Sequence, residues 1–91
     1  MLRRSRLEIY FDILKVLEKG FVKPTAIMYQ TNLSWHALQD TFETLVKSGF
    51  IKEERMSNRK TYKMTDKGRR ALSYYLKASD GLSKAEEISN T

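Results

Sequence analysis

The sequence predicts a mainly α domain with one small β-hairpin (class α+β), and three observations support this fold class. The chain has 91 residues, 41% of them hydrophobic, which suits a single globular domain with a modest core. Four segments carry apolar residues at helical spacing and have capping residues at their ends. Two alternating segments flank turn-forming residues, as in a hairpin. The predicted order is helix, short strand, helix, helix, hairpin and helix.

Helix 1 is predicted in the segment SRLEIYFDILKVLEKG. Its Ser5 and Glu8 can form a capping box, and Gly20 can follow its last turn. The apolar positions cover an arc about twice as wide as the roughly 100° that a surface helix needs. This width predicts that helix 1 contacts two surfaces, the core of its own domain and a second partner.

Two further helices are predicted before the hairpin. Val22 lies in the connector after helix 1 and is predicted to form a short strand. Pro24 suits the first position of a short second helix, PTAIMYQT. After the tight turn NLS, Ser34 is predicted to cap a third helix, WHALQDTFETLVKSG, which ends at Gly49.

The last third of the chain is predicted to hold a hairpin and a fourth helix. The alternating segments FIKEER and TYKM are separated by MSNRK, which predicts a hairpin with a flexible, basic tip. Thr65 or Asp66 can cap the helix KGRRALSYYLKAS, with Gly81 beyond its end. The domain is therefore predicted to span residues 1–81, followed by a flexible tail over 82–91.

Basic residues are concentrated around the predicted hairpin. Between Arg55 and Arg70 there are seven basic residues and one acid, a net charge of +6 that equals the formal charge of the whole chain. With a pI of about 9.7, this pattern predicts nucleic acid or another anionic surface as a partner. The chain has no Cys, and its longest apolar run, AIMY, is far shorter than a membrane helix. These features predict an intracellular, cytoplasmic protein.

Two segments resemble the winged helix-turn-helix superfamily. LVKSGFI resembles the junction of helix 3 and the wing, and YKMTDKGRRAL resembles the junction of the wing and the last helix. The opening RRSRLEIYFDILKVLEKG, with KPTAIMYQTNLSWHALQDTFETLVKSGFI, is similar to small archaeal winged-helix proteins. Some of those are basic DNA-binding chromatin or regulator proteins that dimerise through the C-terminal helix. The resemblance implies a winged helix-turn-helix that binds double-stranded DNA as a transcription regulator or nucleoid-associated chromatin protein.

In this fold helix 3 enters the major groove, and the hairpin, or wing, lies along the backbone or in the minor groove. The predicted DNA contacts come from an N-terminal arm, the start of helix 2, helix 3, the wing and the start of helix 4: Arg3, Arg4, Arg6, Thr25, Ser34, Trp35, His36, Gln39, Asp40, Arg55, Arg59, Lys60, Lys63 and Lys67. Gln39 can pair with adenine through two hydrogen bonds. The wing and the arm are expected to neutralise about five phosphates per subunit.

Structural alternatives exist for several of these residues. The polar face of helix 3 and the wing cluster can be ordinary solvated surface, and Trp35 is expected to be partly buried by packing. Asp40 and Glu43 repel phosphate, and a salt bridge from either acid to a wing arginine is expected. Basic residues at the start of helix 4 oppose the helix dipole, which favours a binding role for them over a structural one.

Helices 1 and 4 are predicted to form a homodimer interface. The wide face of helix 1 and a second, weaker apolar stripe on helix 4 supply its residues: Ile9, Ile13, Val16, Ala71, Tyr74 and Ala78. The alternative is that Tyr74 is a single exposed aromatic residue, which is common on protein surfaces.

Other functional classes have less support in the sequence. An enzyme is not expected, because there is no nucleophile–base pair at a recognisable spacing and no glycine-rich phosphate loop. No metal site or cofactor is predicted, since His36 is the single histidine and Cys is absent. The main alternative to DNA binding is a winged helix used as a protein-interaction module, which the acids of helix 3 favour. RNA binding is a third possibility, weaker because no exposed aromatic platform is evident.

Overall fold

The computed structural model describes the backbone of residues 4–89 and the side chains of residues 4–82. Within these residues the chain forms four helices and one antiparallel pair of strands. The elements are α1 (Arg6–Glu18), α2 (Pro24–Thr31), α3 (Trp35–Lys47), β1 (Ile51–Met56), β2 (Arg59–Met64) and α4 (Asp66–Ser89). The β1–β2 hairpin, residues 51–64, is called the wing below. This arrangement confirms the predicted winged helix-turn-helix fold.

Local geometry confirms the predicted ends of α1 and α3. Ser5 Oγ accepts a hydrogen bond from the Glu8 backbone N–H at 3.1 Å, and the Glu8 side chain accepts one from the Ser5 backbone, which completes the capping box. Ser34 Oγ accepts a 3.1 Å bond from a backbone N–H in the first turn of α3. Gly20 and Gly49 follow α1 and α3 with φ values of 100° and 79°, a conformation that favours glycine.

The hydrophobic core gathers around α1, which contacts α2, α3, α4 and β2. Ile13 is fully buried in this core and Val16 is only 8% exposed. The prediction that these two residues lie at a dimer interface is therefore wrong. The apolar face of α1 is wide because several elements of its own domain cover it, so most of its width needs no second chain.

The predicted short strand at Val22 is not formed in the part of the chain that the structure describes. The backbone N–H of Tyr62 donates a single 3.0 Å hydrogen bond to the Val22 carbonyl, which attaches the connector to β2. Since α1 ends at Glu18 and α2 begins at Pro24, the connector is too short to extend alongside the sheet. The prediction of a third strand is wrong for this reason.

The wing is a longer and tighter hairpin than the sequence predicted. Its strands pair over six positions, from Ile51 opposite Met64 at the base to Met56 opposite Arg59 at the tip. A two-residue turn joins them, and its first residue, Ser57, has a positive φ of 60°. Two-residue turns with a positive φ suit the natural twist of a hairpin, so the strands run to the end of the wing.

The wing is anchored at its base and exposed at its tip. Ile51 and Tyr62 are buried, and the Tyr62 ring stacks on Phe42 of α3 with 3.9 Å between ring centroids. Burial also raises the pKa of the Tyr62 phenol above its ordinary value. By contrast, residues 55–59 are all exposed. The tip therefore projects from the domain, while the base is fixed against α3.

The junction of the wing and α4 depends on a threonine and a glycine. Of the two predicted caps, Thr65 is the one that forms: its Oγ1 accepts a 3.1 Å bond from the Gly68 N–H and donates to the Gly49 carbonyl. Gly68 is buried, and a Cβ atom there would overlap the Phe50 carbonyl oxygen and lie 2.9 Å from the Met64 side chain. Close approach of two backbones explains why YKMTDKGRRAL carries Thr and Gly at these positions.

Helix α4 extends much further than the sequence predicted. It contains 24 residues, and Gly81 lies inside it with open space around its Cα. The predicted helix end before Gly81 is wrong. Residues 82–89, expected in the flexible tail, are helical, while positions 90 and 91 of that tail lie outside the described residues. One glycine costs a helix only about 1 kcal/mol, which the flanking Ala, Lys and Glu residues can offset.

No helix among the described residues is long and apolar enough to cross a membrane. The longest, α4, is interrupted by charged residues throughout its length, from Asp66 through Lys77 and Asp80 to the two glutamates near its end. The charged residues of α4 therefore agree with the sequence, in which every apolar run is short.

Candidate nucleic-acid interface

The wing carries acidic residues that form ion pairs with its basic residues. Residues 51–64 contain five basic and two acidic residues, a net charge of +3. Glu53 Oε1 lies 3.3 Å from Arg55 Nε and 3.4 Å from Lys60 Nζ, so two predicted DNA contacts share one carboxylate. Exposed ion pairs of this kind contribute about 0–1 kcal/mol, and a phosphate can therefore compete for either cation.

The second wing acid, Glu54, pairs with the remaining lysines of the hairpin. Its carboxylate lies 3.6 Å from both Lys52 Nζ and Lys63 Nζ. The guanidinium group of Arg59, at the tip, has no ion-pair or hydrogen-bond partner among the residues whose side chains the structure describes. Arg59 is therefore the wing cation that an incoming anion can engage without breaking an existing pair.

The exposed polar face of α3, called the recognition face below, consists of His36, Gln39, Asp40, Glu43 and Lys47. Asp40 Oδ2 lies 3.5 Å from His36 Nε2, and Glu43 Oε1 lies 2.9 Å from Lys47 Nζ. The Lys47 hydrogen bond and charge lower the pKa of the Glu43 carboxyl, and Glu43 raises the pKa of Lys47. The predicted salt bridge from Asp40 or Glu43 to a wing arginine is not formed, because each acid has a partner one turn away on its own helix.

The recognition face lies directly beside the wing. Gln39 is partly buried and lines a groove between α3 and the hairpin, together with Asp40 and Glu43 of α3 and with Glu53 and Lys60 of the wing. This groove brings Gln39, the predicted base-reading residue, and Lys60, a predicted phosphate-binding residue, to one side of the domain. A contact from Gln39 to a base stays a prediction.

The first turns of α2 and α3 are exposed on their outer sides. Thr25 and Ser34 are both exposed, and the Ser34 hydroxyl already caps α3. Trp35 is 50% exposed, which agrees with the partial burial expected from its position and leaves half of the side chain accessible. Tyr29 on α2 is also largely exposed, and its accessibility was not predicted from the sequence. The spacing of Thr25 and Tyr29, four residues apart on a short helix, could have indicated a shared outer face.

The predicted basic arm is only partly available for binding. Arg3 lies outside the described residues. Arg4 Nη1 forms a 2.9 Å ion pair with Asp12 Oδ2, which holds it against α1. Arg6 begins α1 and lines a groove that Asp40 of α3 also lines. Arg6 is thus the arm residue that the structure brings towards the recognition face.

Lys67 has a structural role that the sequence did not reveal. Its Nζ donates a 2.8 Å hydrogen bond to the Ser48 carbonyl at the end of α3 and lies 5.0 Å from the centre of the Phe50 ring. A cation at a helix C-terminus is favourable, so Lys67 stabilises α3 although it opposes the dipole of its own helix. A contact from Lys67 to DNA stays a prediction, and a phosphate would have to compete with the Ser48 carbonyl for its ammonium group.

The remaining residues predicted for a dimer interface lie on the surface or at its edge. Ile9 and Ala71 are partly buried, Ala78 is exposed and Tyr74 is 73% exposed. Ala71 lines a shallow groove between α1 and α4 whose exposed lining is entirely apolar and which the half-exposed Leu7 borders. These residues are accessible to a second chain, and their place in an interface stays a prediction.

Comparison with known proteins defines the class to which this fold and surface belong. The family model described as winged helix-turn-helix matches residues 3–82. This chain therefore belongs to the winged helix-turn-helix family, as the resemblance of its junction motifs implied.

Particular relatives place the chain near archaeal members of this family. An uncharacterized protein of Methanocaldococcus jannaschii is 32% identical over 71 residues, which are 78% of this chain and 69% of the relative. The crystal structure of Sso10a-2, a DNA-binding protein from Sulfolobus solfataricus, is 28% identical and has a TM-score of 0.71, with 96% of this chain and 94% of the other covered. Staphylococcus aureus MarR, solved with salicylate and kanamycin, is 19% identical with a TM-score of 0.78. That match covers 90% of this chain but 57% of MarR, and it supports the fold alone.

Proposed function

We propose that this protein binds double-stranded DNA as a transcription regulator or a nucleoid-associated chromatin protein. In this proposal α3 enters the major groove, and the wing lies on the phosphate backbone or in the minor groove. The observation that carries the proposal is the position of the recognition face beside a basic wing whose tip is exposed. Family membership and the similarity to Sso10a-2, a DNA-binding protein, support it further.

The acids of the recognition face do not oppose this function strongly. Glu43 is paired with the Lys47 ammonium group, and Asp40 lies 3.5 Å from the His36 imidazole, so the local repulsion of phosphate by Glu43 is reduced. The attraction comes from the wing, with its net charge of +3, and from Arg6. We therefore expect about three to four phosphate contacts per subunit, fewer than the five estimated from the sequence.

Base readout from α3 is expected to be modest. Gln39 is the recognition-face residue suited to a bidentate pair with adenine, and one such pair contributes about 1–3 kcal/mol of discrimination. His36 can donate one hydrogen bond to a base or a phosphate. A single strong base contact per subunit favours a chromatin-like protein or a relaxed regulator over a stringent repressor.

The test is a titration of labelled duplexes of several sequences, followed by fluorescence anisotropy. Arg59→Ala should weaken binding about equally for all sequences, by roughly three- to tenfold, because phosphate contacts carry no base information. Gln39→Ala should reduce the differences between sequences. Lys77→Ala, which removes an equal charge from an exposed position on α4, is the control and should bind like the wild type.

Two results would contradict the proposal. Binding by Arg59→Ala that equals the wild type would show that the wing is only solvated surface. A wild-type protein that fails to bind any duplex at low salt would instead support a protein-interaction module, the alternative that the fold also permits.

The same proposal includes a homodimer formed through α4 and the adjacent part of α1. Tyr74, Ala78 and Leu82 are exposed along one side of α4, where apolar residues recur at intervals of four. Burying such a stripe against a second copy would remove apolar surface from water. Sedimentation velocity should show a dimer that Ala78→Glu dissociates. Ser73→Glu, on another side of α4, should leave the dimer intact, and a monomeric wild type at high concentration would contradict this assembly.

A further inference from the structure

The tip of the wing places an exposed apolar side chain next to a guanidinium group that has no partner among the described side chains. Met56 is 77% exposed, and it lies directly opposite Arg59 on the last pair of the ladder. We propose that Met56 is a wedge that inserts into a base step from the minor groove while Arg59 binds beside it, so that the DNA is kinked. This inference rests on the proposed DNA-binding function and adds a specific role for a residue outside the predicted contacts.

The register of the wing puts both side chains on one face. Residues directly opposite each other in an antiparallel pair share a face and have Cβ atoms about 5 Å apart. Met56 and Arg59 lie on the face opposite to Ile51 and Tyr62, whose side chains are buried at the base. The described residues cover little of Met56, so most of its apolar surface stays in water until a partner removes it.

The length of the wing suits contact with the minor groove by the side chains at its tip. Met56 is five residues beyond the buried Ile51, about 16 Å along the strand. The two backbone strands of a hairpin lie about 5 Å apart before their side chains are counted, so the ribbon as a whole is broader than the minor groove, which is about 6 Å wide and 7.5 Å deep. Only the side chains at the tip are therefore expected to enter the groove. The two-residue turn beyond Met56 consists of Ser57 and Asn58, both small and polar, and it adds little bulk.

The chemistry of this pair matches what the minor groove requires. Proteins that kink DNA from the minor groove combine Arg or Lys, which respond to its negative potential, with an apolar side chain that separates two bases. Met is flexible and polarizable, which suits it to the irregular space between unstacked bases. The other wing cations share carboxylates, whereas Arg59 is unpaired within the described side chains and can follow Met56 into the groove.

The test uses two variants that separate apolar bulk from length. Met56→Leu keeps an apolar wedge, and Met56→Gln keeps a similar length but is polar. Duplexes of about 20–30 base pairs carry a central TA step, which is easily unstacked, or a stiff A-tract in its place. Each carries dyes at its ends, so that energy transfer reports bending, and 2-aminopurine at the central step reports unstacking. Anisotropy of the same samples reports binding.

We expect the wild type and Met56→Leu to bend the TA duplex and to raise 2-aminopurine fluorescence at least about twofold. Met56→Gln should lose both signals while its affinity falls no more than about tenfold. The wild type should prefer the TA duplex over the A-tract duplex several-fold, and Met56→Gln should bind both about equally.

The proposal is overturned if Met56→Gln still bends and unstacks the TA duplex, if Met56→Leu loses these signals, or if the bound wild type leaves the duplex straight. In each of these cases anisotropy shows that DNA is bound, so the proposed function stands while the wedge fails. Absence of any anisotropy change with the wild type would reject both. Since Met56 is exposed, circular dichroism of the variants should match the wild type, which confirms that they are folded.

Discussion

Gly68→Ala is expected to destabilise the domain strongly, because the wing and α4 approach most closely at this residue. An added methyl group would overlap the Phe50 carbonyl oxygen, which belongs to the backbone and cannot rotate away. The methyl group would also press on the Met64 side chain, which is flexible and can move. Relief therefore requires a displacement of α4 relative to the wing, and that displacement would disturb the Thr65 cap at the same junction.

The magnitude follows from three effects. Overpacking against an unyielding neighbour costs about 1–3 kcal/mol, and loss of the cap adds about 1 kcal/mol. Replacing a helical glycine with alanine returns up to about 1 kcal/mol. The net expectation is a loss of about 1–4 kcal/mol, which lowers the melting temperature by roughly 5–30 °C in a domain of this size. Urea denaturation followed by circular dichroism, at fixed protein concentration, measures this loss.

Gly81→Ala is the matched control on the same helix. A Cβ atom at Gly81 meets no other atom within 4 Å, and the residue lies inside α4. Alanine should therefore stabilise the protein by up to about 1 kcal/mol. If the helix ended at Gly81, as the sequence predicted, alanine would instead destabilise it. A Gly68→Ala variant within about 0.5 kcal/mol of the wild type would refute the close approach of the two backbones.

Three further predictions concern other contacts of the same region. Thr65→Val removes the hydroxyl that caps α4 and donates to the Gly49 carbonyl, so urea denaturation should show a loss of about 1–2 kcal/mol in the free energy of unfolding. An unchanged urea midpoint would contradict these two hydrogen bonds. The folded-state pKa of Tyr62 is raised, so above about pH 10 the unfolded chain loses this proton first and stability falls as pH rises. As pH rises above about 10, Tyr62→Phe should lose less stability than the wild type, and equal losses in the two proteins would refute this. Lys67→Met should lower the free energy of unfolding by about 0.5–1 kcal/mol but leave DNA affinity within about twofold, whereas Arg59→Ala should weaken binding. A Lys67→Met variant that is as stable as the wild type but binds DNA more weakly would instead identify Lys67 as a DNA contact.

Features set by short segments could be predicted from the sequence. The capping box at Ser5 and the glycines after α1 and α3 depend on residues within one turn, so their patterns are visible in the chain itself. The alternation of apolar and polar residues in the wing, and the motif around Gly68, likewise indicated the fold. Such signals agree with one another along the chain, and that consistency made the fold predictable.

Features set by distant neighbours could not be predicted in the same way. The broad apolar face of α1 indicated a second chain, but Ile13 is covered by other elements of its own domain. The ion pairs of the wing could not be predicted, because Glu53 and Glu54 precede the basic cluster in sequence and yet pair with it across the hairpin. Lys67 likewise bonds to a carbonyl 19 positions earlier in the chain. Each of these contacts joins residues that are distant in sequence and that only the folded chain brings together.

The dependence of DNA affinity on salt concentration tests the central claim most directly. If the wing and Arg6 displace counterions from three to four phosphates per subunit, log K should fall against log salt with a slope of about −3 per subunit. Arg59→Ala should reduce this slope by about one, and Gln39→Ala should leave it nearly unchanged. A slope near zero for the wild type would contradict binding of a duplex through the basic wing.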